Sequence, residues 1–221
     1  MHKLHRHTPA FVTRVCSAGV LGAALSVGAD TGTAGGEWRH HGGDHASSKY
    51  SPLAQIDAAN FPKLEIAWRW KSVDQNIPFD NGRYYTGHYR ATPLKVGDRV
   101  YAVTSHGQVA ALDPATGREL WVHDPESYAK GQPNMQPLQT RGIEYWTDGK
   151  VERLFVATMG KQLVSIDIAT GKPDPGFGDD GIVDLAGDLG PGDYEINNIT
   201  HGAPPIVVAD TVIVGSKIFD Y

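Results

Sequence analysis

The side chains of this 221-residue sequence most able to hold a metal or move a proton are its ten histidines and its carboxylates. His40, His41 and His45, with Asp44 among them, form the densest group. Imidazole and carboxylate together suit a transition metal, but a rigid site needs them one helical turn apart or alternating along a strand. Their spacing fits neither pattern, so the segment reads as a solvated loop. His106, in TSHG, follows an apolar run and either faces a central channel or caps a turn; His88 and His201 are open to the same two readings. DPGFGDDG, Asp174 to Gly181, has the composition of a calcium loop but lacks the D-x-D-x-D-G spacing and the closing glutamate, and reads as a turn. No G-x-S-x-G, H-E-x-x-H, G-x-G-x-x-G or Walker pattern occurs. Serine-hydrolase, zinc-protease, nicotinamide and nucleotide chemistry therefore have no foothold.

The elements that would position any site are strands. Glycine makes up 26 of the 221 residues, well above the usual ~7%, and no long stretch has helical periodicity, so the fold class expected is all-β and turn-rich. Lys3, Arg6 and Arg14 precede a small, apolar run from Ala18 to Ala29 that ends in Val27-Gly28-Ala29. This reads as a signal peptide over 1–29 and a periplasmic or secreted product. The run is short for a membrane span, which takes roughly 20 apolar residues. The single cysteine, Cys16, falls inside that leader, so the mature chain has no thiol for a disulfide, a nucleophile or a metal. A formal charge of −5, more acidic still without the leader, argues against a nucleic-acid partner.

The chain repeats itself. VYAVTSHGQVAALDPATGR, Val100 to Arg118, aligns without a gap on LFVATMGKQLVSIDIATGK, Leu154 to Lys172, at an offset of 54. TPLKVGDRVYAV, Thr92 to Val103, aligns on PPIVVADTVIVG, Pro204 to Gly215. Each unit reads as two apolar strands around an Asp-containing turn, a third strand ending in Asp, a D-x-x-T-G turn, and in places a fourth strand carrying tryptophan. In that turn the aspartate accepts backbone N–H groups and the glycine supplies a positive φ. Trp121 is expected to lie flat between neighbouring units. Four strands per unit and a period near 50 residues describe propeller blades; a hairpin in a β-sandwich is the competing reading. The blades are placed near 90–124, 142–175 and 202–221, within a propeller region 66–221 that follows a lead-in segment 30–65. EIAWRWKS alternates Ile66, Trp68 and Trp70 with polar residues and reads as a further strand. About three blades do not close a ring, so the sequence is expected to be the N-terminal portion of a longer protein.

Four elements in order carry a resemblance to a known family: EWRHHGGDHASSKYSPLAQID from Glu37, the signature ALDPATGRELW from Ala111, TPLKVGDRVYAV, and RGIEYW from Arg141 to Trp146. From about Glu37 to Tyr221 the chain resembles the pyrroloquinoline quinone (PQQ)-dependent dehydrogenases, the quinoproteins that act on glucose, quinate and simple alcohols. The resemblance implies an eight-bladed propeller that holds PQQ near its axis, with a divalent cation, usually Ca²⁺, beside it. It also implies oxidation of a sugar, polyol or other alcohol, with electrons passed to a respiratory quinone or cytochrome c.

By this resemblance Arg141 pairs with a PQQ carboxylate and Asp220 is a calcium ligand; the chain departs from the pattern at Arg90, where some relatives place a glutamate and a cationic contact to the cofactor is the reading, and at HGAPP, where many relatives offer Thr-Ser and only the backbone N–H groups of Gly202 and Ala203 remain for a carboxylate. Alcohol-oxidising members carry a Cys-Cys pair where this chain reads NMQPLQTRG, so Met135, Pro137 or Leu138 is expected to cover the quinone face. The catalytic aspartate of the family belongs to later blades; no catalytic residue is assigned, and the 221-residue polypeptide alone is expected not to oxidise alcohols. A non-catalytic propeller scaffold of the outer-membrane assembly type, or an inactive truncated relic, is the alternative.

Overall fold

The computed structural model describes residues 32–77, 89–130, 137–187 and 199–218. The proposed leader, His88, Met135 and Asp220 lie outside them. Among the described residues, no helix is long and apolar enough to cross a membrane.

Two four-stranded antiparallel sheets, each in strand order along the chain, form the body of the molecule. The first comprises β1 (Leu94–Val96), β2 (Arg99–Val103), β3 (Val109–Leu112) and β4 (Glu119–His123). The second comprises β5 (Glu144–Thr147), β6 (Glu152–Ala157), β7 (Gln162–Asp167) and β8 (Ile182–Asp184). A third unit consists of β9 (Ile199–Thr200), β10 (Ile206–Val208), β11 (Thr211–Ile213) and β12 (Lys217–Ile218), in which β10 pairs with β11 and β9 with β12. The architecture is all-β, a partial β-propeller.

The sequence repeat is a repeat of register. Val100 pairs with Leu112 across β2 and β3, and Leu154 with Ile166 across β6 and β7, each partner displaced by the same 54 residues. Leu94 pairs with Tyr101, Glu144 with Phe155, and Ile206 with Ile213, so these pairs occupy equivalent positions in the first hairpins of the three units, the second of which has a longer turn between Thr147 and Glu152. β3 and β7 are buried along nearly their whole length and show no alternation, because both of their faces are covered by a neighbouring layer. The core between the first two sheets joins Leu94, Val103 and Val109 of one to Ile143, Leu154, Val164 and Ile166 of the other.

The D-x-x-T-G turns are built alike. Asp113 Oδ1 accepts hydrogen bonds from the backbone N–H groups of Ala115 at 3.0 Å and Thr116 at 2.8 Å and from the Thr116 hydroxyl at 2.9 Å. These bonds hold its carboxyl below the usual carboxylate range, that of Thr116 most strongly. Asp167 Oδ1 likewise accepts from Thr170 N at 2.8 Å and Thr170 Oγ1 at 2.7 Å. The glycine closing each turn has positive φ, +71° at Gly117 and +73° at Gly171. A tryptophan ring lies against each of them: a Cβ on Gly171 would come within 2.6 Å of the Trp121 ring, and one on Gly117 within 2.5 Å of Trp68. The indole N–H groups bond equivalent carbonyls, Trp121 to Ile168 O at 3.2 Å and Trp68 to Pro114 O at 2.9 Å.

The expected strand at EIAWRWKS does not form. Its alternation is real, since Trp68 and Trp70 are half-buried between exposed residues, but the segment is held by side chains. Trp68 bonds Pro114 and Trp70 bonds Glu119 Oε1 at 2.7 Å; among the described residues no backbone ladder runs beside it, and alternation without a ladder is not a strand. Further upstream, Trp38 exchanges backbone hydrogen bonds with Lys95 at 2.8 and 3.0 Å and so covers the free edge of β1.

Gly149 also has positive φ, +88°, but nothing stands near its missing Cβ. Gly149→Ala is expected to cost only backbone strain, about 1–2 kcal/mol. Gly171→Ala adds overpacking against Trp121 and is expected to cost a further ~1–3 kcal/mol. Urea unfolding of the two variants measures the difference, and equal losses would mean that the ring does not rest on the turn.

Candidate cofactor recess and histidine cluster

Backbone hydrogen bonds tie the starts of the three units together. Thr92 N donates to Arg141 O at 3.2 Å, and Arg141 N donates to Gly202 O at 2.9 Å. Residue 141 is thus clamped between its neighbours in the preceding and following units, and its side chain remains exposed. A recess of about 170 Å³ opens at this joint, lined by Arg141, Gln139, Met159, Thr200, Gly202, Ala203, Gly215, Ser216 and Lys217. Two of these are cations and none is a carboxylate. Gly202 is required by packing: a Cβ there would lie 2.6 Å from Gln139 O and 3.0 Å from the Met159 sulfur.

Beside the recess, His201 is buried. Burial holds its pKa below the usual imidazole range; a hydrogen bond with the Gly215 backbone opposes that shift and the Lys161 ammonium adds to it. Lys161 is itself pushed below the ordinary lysine range by burial. The surroundings therefore favour an incoming anion over a cation.

The structure brings Arg141, Gly202 and Ala203 together and leaves Arg90 apart, exposed and outside the lining. Asp220 is outside the described residues. Of the residues expected to cover the quinone face, Met135 lies outside the described residues, Leu138 is fully buried, and Pro137 is not among the residues lining the recess, to which Gln139 and Met159 contribute. The side chain of residue 138 turns into the core because its neighbours on either side face outwards. Lys217, Thr200 and Ser216 were not singled out by sequence. The repeat held a signal for Met159, which occupies the place of Ser105 in the turn after the second strand of its unit.

The other chemical candidates resolve differently. His106 is buried, its Nδ1 lies 3.0 Å from Asp74 Oδ2, and the same oxygen accepts from the His106 backbone N–H at 3.3 Å. Of the two readings it follows the turn-capping one. Asp174 of DPGFGDDG is engaged by Arg153 Nε at 2.8 Å and by Gly176 N at 3.0 Å, as a structural turn would be. The loop around His40 is not simply solvated. His40 is buried with its Nδ1 2.9 Å from Glu144 Oε1, and the rings of His40 and His45 lie 3.9 Å apart.

The protein-family profile described as "PQQ: Glucose/ethanol/alcohol dehydrogenase, beta-propeller domain" matches residues 38–221. The chain belongs to this family. Among curated relatives, it is 30% identical over 210 residues to the quinoprotein glucose dehydrogenase A of Acinetobacter calcoaceticus, covering 86% of this chain and 25% of the relative. It is 29% identical over 194 residues to the glycerol dehydrogenase large subunit of Gluconobacter oxydans (strain 621H), with 85% and 25% covered. The quinohemoprotein alcohol dehydrogenase of Comamonas testosteroni superposes with a TM-score of 0.60 at 25% identity, over 84% of this chain and 24% of that one. The chain spans about a quarter of the length of the relatives it matches.

His123 in β4 is, like His201, held below its ordinary 6.5 chiefly by burial. Both favour the neutral form more in the fold than in the unfolded chain, which binds protons as the pH falls below about 6.5. The stability they contribute is therefore complete above that pH and is lost as the pH drops through their folded values. Replacing both with glutamine is expected to flatten the fall in stability between pH 7 and 5, measured by urea midpoints at each pH; an unchanged slope would assign the acid sensitivity to other groups.

Proposed function

We propose that this chain supplies the carboxylate-binding subsite of a periplasmic PQQ-dependent dehydrogenase that oxidises a sugar, polyol or other alcohol and delivers the electrons to a respiratory quinone or cytochrome c. The observation that carries the reading is the joint of the three units, where Arg141 and Lys217 flank the backbone of Gly202 and Ala203 in a recess lined, among the described residues, by no carboxylate. Export rests on the leader over 1–29.

The residues present fit one edge of a flat polyanion. Arg141 would present a planar fork to one carboxylate, a geometry that guanidinium matches with two parallel hydrogen bonds. Lys217 would act as a point charge beside it. The Thr200 and Ser216 hydroxyls are further donors, and Gly202 keeps the backbone within reach. A complete small-molecule pocket is typically about 300–1,000 Å³, so a recess of about 170 Å³ holds an edge of the cofactor and leaves the rest to other parts of the protein. PQQ, when bound, supplies the two-electron oxidising chemistry; this chain's residues bind and orient it. Ca²⁺ requires about six to eight hard oxygens, and since the lining contains no carboxylate, the cation in this reading rests on Asp220 and not on the recess.

Fluorescence titration of the protein with PQQ tests this. Arg141→Ala is expected to weaken binding roughly 10- to 100-fold, the ~1.5–3 kcal/mol of a hydrogen bond to a charged group. Lys217→Ala should act in the same direction. Arg90→Ala, whose side chain is outside the lining, should stay within about twofold. Indifference of PQQ binding to Arg141 would refute the assignment.

A further inference from the structure

The three first hairpins share a register, and one position breaks the pattern. Where the first sheet places Leu94 and the third unit Ile206, the second sheet places Glu144. The carboxylate is 3% exposed. Burying an ionised group costs several kcal/mol unless partners restore what water gave; at the equivalent point the first sheet buries an aliphatic residue, Leu94, completely, while Ile206 of the third unit is 40% exposed. A buried carboxylate needs partners.

Its partners come from about 100 residues upstream. His40, also buried, places Nδ1 2.9 Å from Glu144 Oε1. His45 is exposed and its ring lies over that of His40, the centroids 3.9 Å apart and the planes tilted by 36°. One ligating atom from each of the three residues lies within 4.8 Å of the others. Two imidazoles at this separation repel when both are protonated, and only one of them is needed to pair with the glutamate. A cation between them satisfies both rings and the carboxylate together. The cluster borders an open recess of about 190 Å³ whose lining also includes Asp44, Pro204 and Pro205. His45 provides its solvent-facing wall.

We propose that His40, His45 and Glu144 form a site for a divalent first-row transition metal of the Zn²⁺ type, holding the lead-in segment to the first strand of the second sheet. Two imidazoles and one carboxylate are a recurring ligand set for zinc, with a fourth position open to water. Metal–ligand bonds of about 2.0–2.2 Å place tetrahedral ligand atoms about 3.3–3.6 Å apart, so modest side-chain rotation closes the present arrangement. Nitrogen ligands exclude the hard cations: Ca²⁺ and Mg²⁺ take oxygen. The site is separate from the cofactor recess, although Glu144 follows Arg141 by three residues, and it stands whether or not PQQ binds.

The test uses the untagged chain with His2, His5 and His7 replaced by alanine, since those histidines would compete for metal. Calorimetric titration with ZnCl₂ is expected to show one equivalent bound, with a Tm that rises by several degrees as only the folded state binds. His45→Ala, at an exposed position that leaves the fold intact, and Glu144→Gln, which keeps a hydrogen bond to His40, should each weaken Zn²⁺ by tenfold or more and abolish the Tm shift. Co²⁺ should give the visible absorption of a tetrahedral N/O site in the parent and not in His45→Ala. Zinc bound equally by parent and variants, no zinc bound, or Ca²⁺ bound as tightly as Zn²⁺ would each overturn the proposal.

Discussion

The contact on which the rest of the structure depends is a tryptophan ring laid on a glycine turn. The turn needs glycine for its positive φ, and the bare Cα then leaves a flat surface that an indole can cover. Trp121 lies on Gly171 and Trp68 on Gly117, with their N–H groups bonded to carbonyls 54 residues apart, at Ile168 and Pro114. A single residue type thus provides both the turn conformation and the seat for its neighbour. Because Trp121 and Gly171 belong to successive sheets, that contact bears on how one sheet stands against the next, and the shared core of Leu94, Val109, Ile143 and Ile166 is filled in that arrangement; the Trp68 contact seats the segment upstream of β1 on the first sheet in the same way.

Once the sheets stand in this relation, the starts of their first strands converge, and function becomes possible there. Thr92, Arg141 and Gly202 are linked in sequence by backbone bonds, so the backbone that presents the exposed Arg141 side chain is placed by the packing of three units and not by a local motif. A site built this way spends little conformational entropy when an anion arrives, because the backbone that presents it is already ordered. The absence of carboxylates from the lining and the cationic surroundings of His201 act in the same sense. The chain belongs to the PQQ dehydrogenase propeller family, and in the proposed reading the residues around the recess would hold one edge of a polyanion.

Much of this was legible in the sequence, and the limits have physical causes. The D-x-x-T-G turns, the hairpin registers and the all-β class are local properties, written in residues a few positions apart, and they could be read directly. Arg141, Gly202 and Ala203 came through resemblance and do converge on one recess. Lys217, Thr200 and Met159 belong to three different stretches that meet only after the sheets are stacked, so no spacing rule reveals them. The segment around Trp68 misled because alternation reports which side chains are covered; it does not report whether a backbone partner is present. Of the three apolar residues offered for the quinone face, Leu138 is buried in the core and Met135 lies outside the described residues.

Glu144 is the sharpest case. In the sequence it is one acidic residue in RGIEYW, and neither its neighbours nor its own pattern distinguishes it from a surface charge. Its meaning depends on two facts that sequence does not carry: that this position in the repeat is interior, as Leu94 demonstrates, and that the lead-in segment folds back so that His40 meets it across 104 residues. The first cause makes the charge costly and the second makes it tolerable. An aliphatic side chain would fill the position without needing His40 at all, so the histidine pair and the glutamate have to be accounted for together. A structural ion pair accounts for His40 and Glu144 but leaves the stacking of His45 over them without a cause, whereas a bound cation gives all three residues the same one.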